Sequence, residues 1–245
     1  GKSLPEHLLA TEWLNTRISL TIAEVQDHFS KFRISDALLS IYNLVWDDFC
    51  GKYLEIIKPA YQAPIHADTL KDAFQIFDQL MRLLHPYMPF ITEEIWQAID
   101  VRETNSSICK APFPKSTKEN TALNQQFDTL FVVLTKIREI RNSKQLSPKL
   151  ALSLEIKTAD SSYYEHLKAV LSKLANLESI VYVDQANPDA QTFVVRSDQF
   201  FVPLQKEENQ DELKEESEKE LIYLEGFKKS GLNCSSFVIS TVWTV

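Results

Sequence analysis

The sequence predicts a mainly α protein. Residues 1–105 form an antiparallel helical bundle, 106–122 a linker, and 123–205 a basic helix with a small α+β unit. Residues 206–230 begin a charged coiled-coil arm, and 231–245 are an atypical tail. Three observations carry this reading. Apolar residues recur at helical spacing through the first hundred positions, the spacing turns to strand-like alternation after Pro148, and charge displaces apolar residues after Lys206.

The elements follow in order. Residues 5–29 place Leu8, Leu9, Trp13, Ile18, Ile22 and Val25 at helical spacing. After a break at 30–33, Ser35 has the character of an N-cap with Asp36 in the first turn. The helix behind it runs to about Ile57, with Leu38, Ile41, Tyr42, Val45, Phe49 and Leu54 on a wide apolar face, and ends at Pro59 and Pro64. Asp68 is the expected cap of a third helix over 69–84, and Thr92 of a fourth, with His85-Pro86 and Pro89 forming a stiff turn between them. Residues 102–120 are polar, contain Pro112 and Pro114 and lack periodicity. Helix resumes over 123–142. Leu152, Leu154 and Ile156 then share one face of a strand; 180–183, 192–195 and 200–204 read as further strands, with a helix over 163–175. Leu213, Leu221 and Leu224 are sparse and suit an exposed arm, whereas the last fifteen residues are uncharged and rich in β-branched side chains.

Composition narrows the function. The 245 residues include only 4 glycines, where average usage gives roughly 17 at about 7%. They are Gly1, Gly51, Gly226 and Gly231, so no glycine lies between Lys52 and Glu225. Phosphate-cradling loops need glycine for positive φ and close backbone approach, which excludes a P-loop or a dinucleotide fingerprint on this chain. The three cysteines, Cys50, Cys109 and Cys234, have no metal-ligand spacing and fit a reducing compartment. No apolar run approaches the roughly 18 residues that span a bilayer, so the expectation is a cytoplasmic protein with no membrane partner. The chain opens on Gly1 and carries only Met81 and Met88, from which an excised or processed piece is expected.

A net charge of −8 disfavours nucleic-acid binding at face value. The charge is uneven, however. Residues 110–149 hold Lys110, Lys115, Lys118, Lys136, Arg138, Arg141, Lys144 and Lys149 against Glu119, Asp128 and Glu139, a candidate footprint for a phosphate backbone.

Specific stretches go further. Phe32 to Cys50, F-R-I-S-D-A-L-L-S-I-Y-N-L-V-W-D-D-F-C, and Y-L-E at Tyr53 to Glu55 resemble the anticodon-binding helical domain of class I aminoacyl-tRNA synthetases, in its valyl-tRNA synthetase form. L-H-P-Y-M-P-F-I-T-E-E-I-W at Leu84 to Trp96 is similar to a run shared by the valine, isoleucine and leucine enzymes. S-I-C-K-A-P-F-P at Ser107 to Pro114, I-R-E-I-R-N at Ile137 to Asn142 and L-A-N-L-E-S-I at Leu174 to Ile180 resemble further valine-family motifs. The resemblance covers roughly 8–230, in the family's order. It departs at Glu12, where an arginine is usual, at Gly51-Lys52, where D-W is usual, and after Ser230.

The resemblance implies a tRNA-binding region of a valine–tRNA ligase, holding the anticodon stem-loop of tRNA(Val). The catalytic and editing domains, with ATP and magnesium, would belong to the parent enzyme. This chain alone would carry no cofactor and no catalysis. Trp13 and Arg17 resemble the aromatic and basic residues that open the domain, and a tryptophan face can stack on an unpaired base. Lys31 and Arg33 flank a helix junction where cations can meet phosphates, and Lys136, Arg138 and Arg141 lie on the basic helix, the last two at i,i+3. The proline-rich L-H-P run and W-D-D-F-C are read as structural, His85 as a hydrogen-bonded corner rather than a base, and Asp47 and Asp48 as orienting a basic neighbour. Two alternatives stay open: the same domain from an isoleucine or leucine enzyme, and a helical scaffold whose acidic arm binds a protein.

Overall fold

The computed structural model describes residues 3–117, 119–185 and 190–204. The arm, the tail, Lys118 and Cys234 lie outside the described residues. The chain is mostly helical with a small four-stranded mixed sheet. Among the described residues no helix is long and apolar enough to cross a membrane.

Helix α1 (Pro5–Ser30) is the element against which the first half assembles. Pro5 sits at its start, where a missing N–H costs nothing. Its buried positions Ala10, Trp13, Leu14, Ile18, Ile22 and Val25 recur at three- and four-residue spacing, so one stripe faces inward. Helix α2 (Ile34–Asn43) continues without a break through a π-helical stretch (Leu44–Tyr53) into α3 (Leu54–Ile57), and α1 packs against all three. Phe32, at the junction before α2, has φ 58°, a conformation uncommon for a bulky residue. Helices α4 (Ala67–Leu84) and α5 (Pro89–Ala98) pack on each other.

Three expected caps move. Helix α2 begins at Ile34, before Ser35. Helix α4 begins at Ala67 with Asp68 in its first turn, and α5 begins at Pro89 rather than after Thr92. In the last case proline's fixed φ already suits a first helical position, and Thr92 is instead a buried interior residue whose hydroxyl donates to the Met88 carbonyl at 2.7 Å. Trp96 packs as expected, donating to Asp78 at 2.7 Å beneath the Arg102 guanidinium. Phe90 and Ile91 do not pack: Phe90 is 89% exposed.

The linker is tied down by polar contacts. A 3₁₀ turn (Ile108–Lys110) is capped by the Ser107 hydroxyl, and Thr117 N donates to Ser19 Oγ on α1. Helix α6 (Thr121–Ser143) is capped by Asn120, whose side-chain oxygen accepts from Leu123 N while its amide donates to Glu12 at 2.7 Å. Glu12, the family departure, therefore anchors the start of α6.

The second half is built on strands β1 (Leu152–Lys157), β2 (Leu177–Tyr182), β3 (Ala190–Val195) and β4 (Asp198–Pro203), in the order β2-β1-β4-β3. β1 and β2 are parallel, joined through the short helices α7 (Ser162–Glu165) and α8 (Lys168–Ala175); the other pairings are antiparallel. Leu152, Leu154 and Ile156 point inward as the alternation predicts. Helix α8 ends on Asn176 at φ 50°, the left-handed cap that asparagine tolerates.

Candidate nucleic-acid interface

The expected binding residues fall into two groups, buried and exposed. Trp13 is 1% exposed, stacked on Phe127 of α6 at 5.0 Å between ring centroids and tilted against Phe131 at 5.3 Å. No base can reach its face in this structure. The expectation of a stacking platform is corrected: Trp13 is mortar between α1 and α6, because it lies on the stripe of α1 that α6 covers. Arg141 is corrected likewise. Only 8% exposed, it donates to four backbone carbonyls, those of Ser147 and Leu150 in the loop before β1 and those of Ala175 and Asn176 at the end of α8. A cation suits carbonyls left over where a helix ends and a loop turns; the Ser147 and Asn176 carbonyls also accept backbone bonds, from Leu150 N and Leu152 N. Arg141 and Arg138 thus do not share an outward face; Arg138 alone of the pair is exposed.

Arg17 is tied to a buried carboxylate, although about a third of its side chain stays open to solvent, at 32%. Its Nε is 2.8 Å from Asp48 Oδ2, and Lys52 Nζ is 2.6 Å from Asp48 Oδ1. Asp48 is buried in the π-helical stretch and orients two cations, as its sequence context suggests. Lys52, one of the family departures, also lies 4.8 Å from the Phe131 ring centroid, so its ammonium covers the edge of the buried aromatic cluster. Gly51 beside it leaves little room for a side chain: a Cβ there would sit 3.3 Å from the Trp46 carbonyl oxygen.

The remaining cations stay at the surface. Lys31 pairs with Asp27 at 2.6 Å and Lys136 with Glu139 at 2.8 Å, both on exposed helix faces where such pairs exchange readily with solvent or a ligand. Arg33 and Arg138 are exposed and form no salt bridge among the described residues.

A model of the anticodon-binding domain of tRNA ligases matches residues 11–156, more than half of the chain. The chain belongs to that family. Among curated relatives it is similar to the valine–tRNA ligase of Parabacteroides distasonis, 39% identical over 91% of this chain and 25% of the relative. It is similar also to those of Phocaeicola vulgatus, 38% identical over 93% of the chain and 26% of the relative, and Christiangramia forsetii, 36% identical over 91% and 25%. The chain spans about a quarter of the length of the curated relatives it matches.

This anticodon-binding domain presents an aromatic surface that sequence reasoning placed in the core. Tyr42 and Trp46 stack on each other, 6.2 Å apart and 10° from parallel, and both are open to solvent, Trp46 at 62%. Leu38 and Leu39 extend the same stripe of α2. The available signal was the i,i+4 spacing of two aromatics on a helix whose Ile41 and Phe49 already fill the inward face.

Proposed function

We propose that this chain is the tRNA-binding region of a valine–tRNA ligase and holds the anticodon stem-loop of tRNA(Val). The observation that carries the proposal is the joint match: the anticodon-binding family over 11–156, and valine–tRNA ligases over nine-tenths of the chain. Activation of valine and its transfer to tRNA with ATP and magnesium fall, in this reading, to catalytic and editing domains in cis. The absence of any glycine-bearing phosphate loop supports that division.

The surface offers two elements that suit an RNA loop. Unpaired bases stack on aromatic faces, and Tyr42 and Trp46 already form a solvent-open stack that a base can extend. Phosphates pair with exposed cations, and Lys31, Arg33, Lys136 and Arg138 are the candidates from the sequence that remain outward. Trp13 and Arg141 lie behind this surface and fix the helices that carry it, while Arg17, paired with Asp48, stays partly open to solvent.

Titration of the chain with a tRNA(Val) transcript at several salt concentrations tests the reading. Binding should weaken steeply with salt, and Arg33→Ala should lower the slope of log K against log salt by about 0.7–0.9. Absence of binding at low salt, or equal affinity for an unrelated hairpin, would overturn it.

A further inference from the structure

Three side chains from three parts of the chain lie in one hydrogen-bonded line where α4, α5 and the linker meet. His85 follows α4, Thr92 lies in α5, and Cys109 lies in the 3₁₀ turn. His85 Nδ1 is 2.8 Å from Thr92 Oγ1, and its Nε2 is 3.1 Å from Cys109 Sγ.

Thr92 sets the direction of both bonds. Its hydroxyl has one proton, and that proton goes to the Met88 carbonyl at 2.7 Å. Thr92 Oγ1 is therefore an acceptor towards the ring, so Nδ1 carries the hydrogen. A neutral imidazole has a single N–H. Nε2 is left with its lone pair facing Cys109, and the thiol is the donor. The ring is held in the tautomer a general base needs, against an exposed thiol. Glu93 accepts hydrogen bonds from Gln97, Ser107 and Ile108 N that hold its carboxyl low, and it lies close enough to His85 for an imidazolium formed there to have an anion to work against.

We propose that Cys109 is a modification site for small peroxides, with His85 as its base and Thr92 as the residue that positions the base. The thiol proton passes to His85 Nε2, and the thiolate sulfur attacks one peroxide oxygen. An S–O bond forms as the O–O bond breaks. Sulfur is oxidised by two electrons to a sulfenic acid, and the departing oxygen takes the proton from His85 to leave as water or an alcohol. Nothing in the anticodon-binding role requires this thiol, so the inference stands apart from that reading.

Cys50 supplies a reference within the same molecule. It is also exposed, but desolvation by its surroundings pushes its thiol up from the ordinary value, and it has no histidine partner among the described residues. The chain is exposed to hydrogen peroxide in the presence of dimedone, which traps sulfenic acids, and adducts on the two peptides are timed by mass spectrometry. Cys109 should react about tenfold faster than Cys50, a modest general-base effect for an open site. His85→Gln should bring Cys109 down to the Cys50 rate. Thr92→Val, nearly the same shape, should lower the Cys109 rate several-fold while leaving Cys50 unchanged. A merely structural loosening would not slow one thiol alone. Equal rates in the unaltered chain, or an unchanged Cys109 rate in His85→Gln, overturn the proposal. If His85→Gln unfolds, which a jump in the Cys50 rate reveals, an unchanged Cys109-to-Cys50 ratio in Thr92→Val overturns it instead.

Discussion

Two aromatic clusters, each with a tryptophan from a family-like motif, sit in opposite surroundings. Trp13, Phe127 and Phe131 are closed between α1 and α6, with the Lys52 ammonium over the edge. Tyr42 and Trp46 stack along one helix with half or more of each residue open to solvent, 52% and 62%. The first cluster joins residues more than a hundred positions apart and holds the fold together. The second joins residues four apart, stabilises the fold little, and leaves its faces free. Which tryptophan is open to a ligand is decided by what covers it.

The sharpest way to break the comparison is to truncate each tryptophan. Trp13→Ala removes a fully buried ring from between two helices and should cost about 3–5 kcal/mol of stability, read from chemical denaturation. Trp46→Ala should change stability by no more than about 0.5 kcal/mol. Its tRNA(Val) affinity should instead fall by about 1–3 kcal/mol, the worth of one stacked base. A folded Trp13→Ala chain that loses only tRNA binding would reverse the two roles.

Next in size is Arg141. Replacing it with Met removes the shared donor from four carbonyls, of which Ser147 and Asn176 keep a backbone donor, and a loss of about 1–3 kcal/mol is expected. Arg141→Lys should recover only part of this, since one ammonium cannot span two loop carbonyls and two at the end of α8. Full recovery by lysine would mean that charge alone matters there, and thermal or urea midpoints separate the two outcomes.

These contrasts also explain what the sequence made legible. The helices and β1 were readable because burial imposes periods of 3.6 and 2, and the α1 stripe and Leu152, Leu154 and Ile156 obey them. Trp13 was readable as part of the α1 stripe but not as covered by a distant helix, and Arg141 was not readable as interior. The element that covers Trp13 lies more than a hundred residues away, and the carbonyls that hold Arg141 include those at the end of a later helix. Tyr42 fits the apolar period of α2 as well as Ile41 does, so periodicity alone could not show which side α1 takes. The π-helical stretch, which adds a residue per turn, further shifts the faces beyond Asn43. Asp48 and His85 were legible because their partners are dictated by local chemistry: a carboxylate among cations, and an imidazole beside a proline turn.

The smallest expected effect concerns how the buried cluster is assembled. The linker delivers α6, and with it Phe127 and Phe131, to Trp13, and Glu93 fastens the linker's start to α5. Hydrogen bonds from Gln97 and then Ser107, with a backbone bond from Ile108, hold the Glu93 carboxyl below its ordinary value of 4.5. A carboxyl lowered in the folded state stabilises it fully above the unfolded value, and that contribution is lost as pH falls through the folded value. Glu93→Gln should therefore cost at most about 1 kcal/mol at pH 7, given the site's openness to water. The gap between the variant and the parent chain should begin to close below 4.5 and vanish at lower pH. Urea midpoints of both chains from pH 7 down to pH 3 provide the check, the difference isolating Glu93 from other carboxylates that titrate in the same range. A gap that stays constant with pH would show that the side chain's shape, rather than its charge, fastens the linker, and the path from Glu93 to the buried cluster would then be one of packing alone.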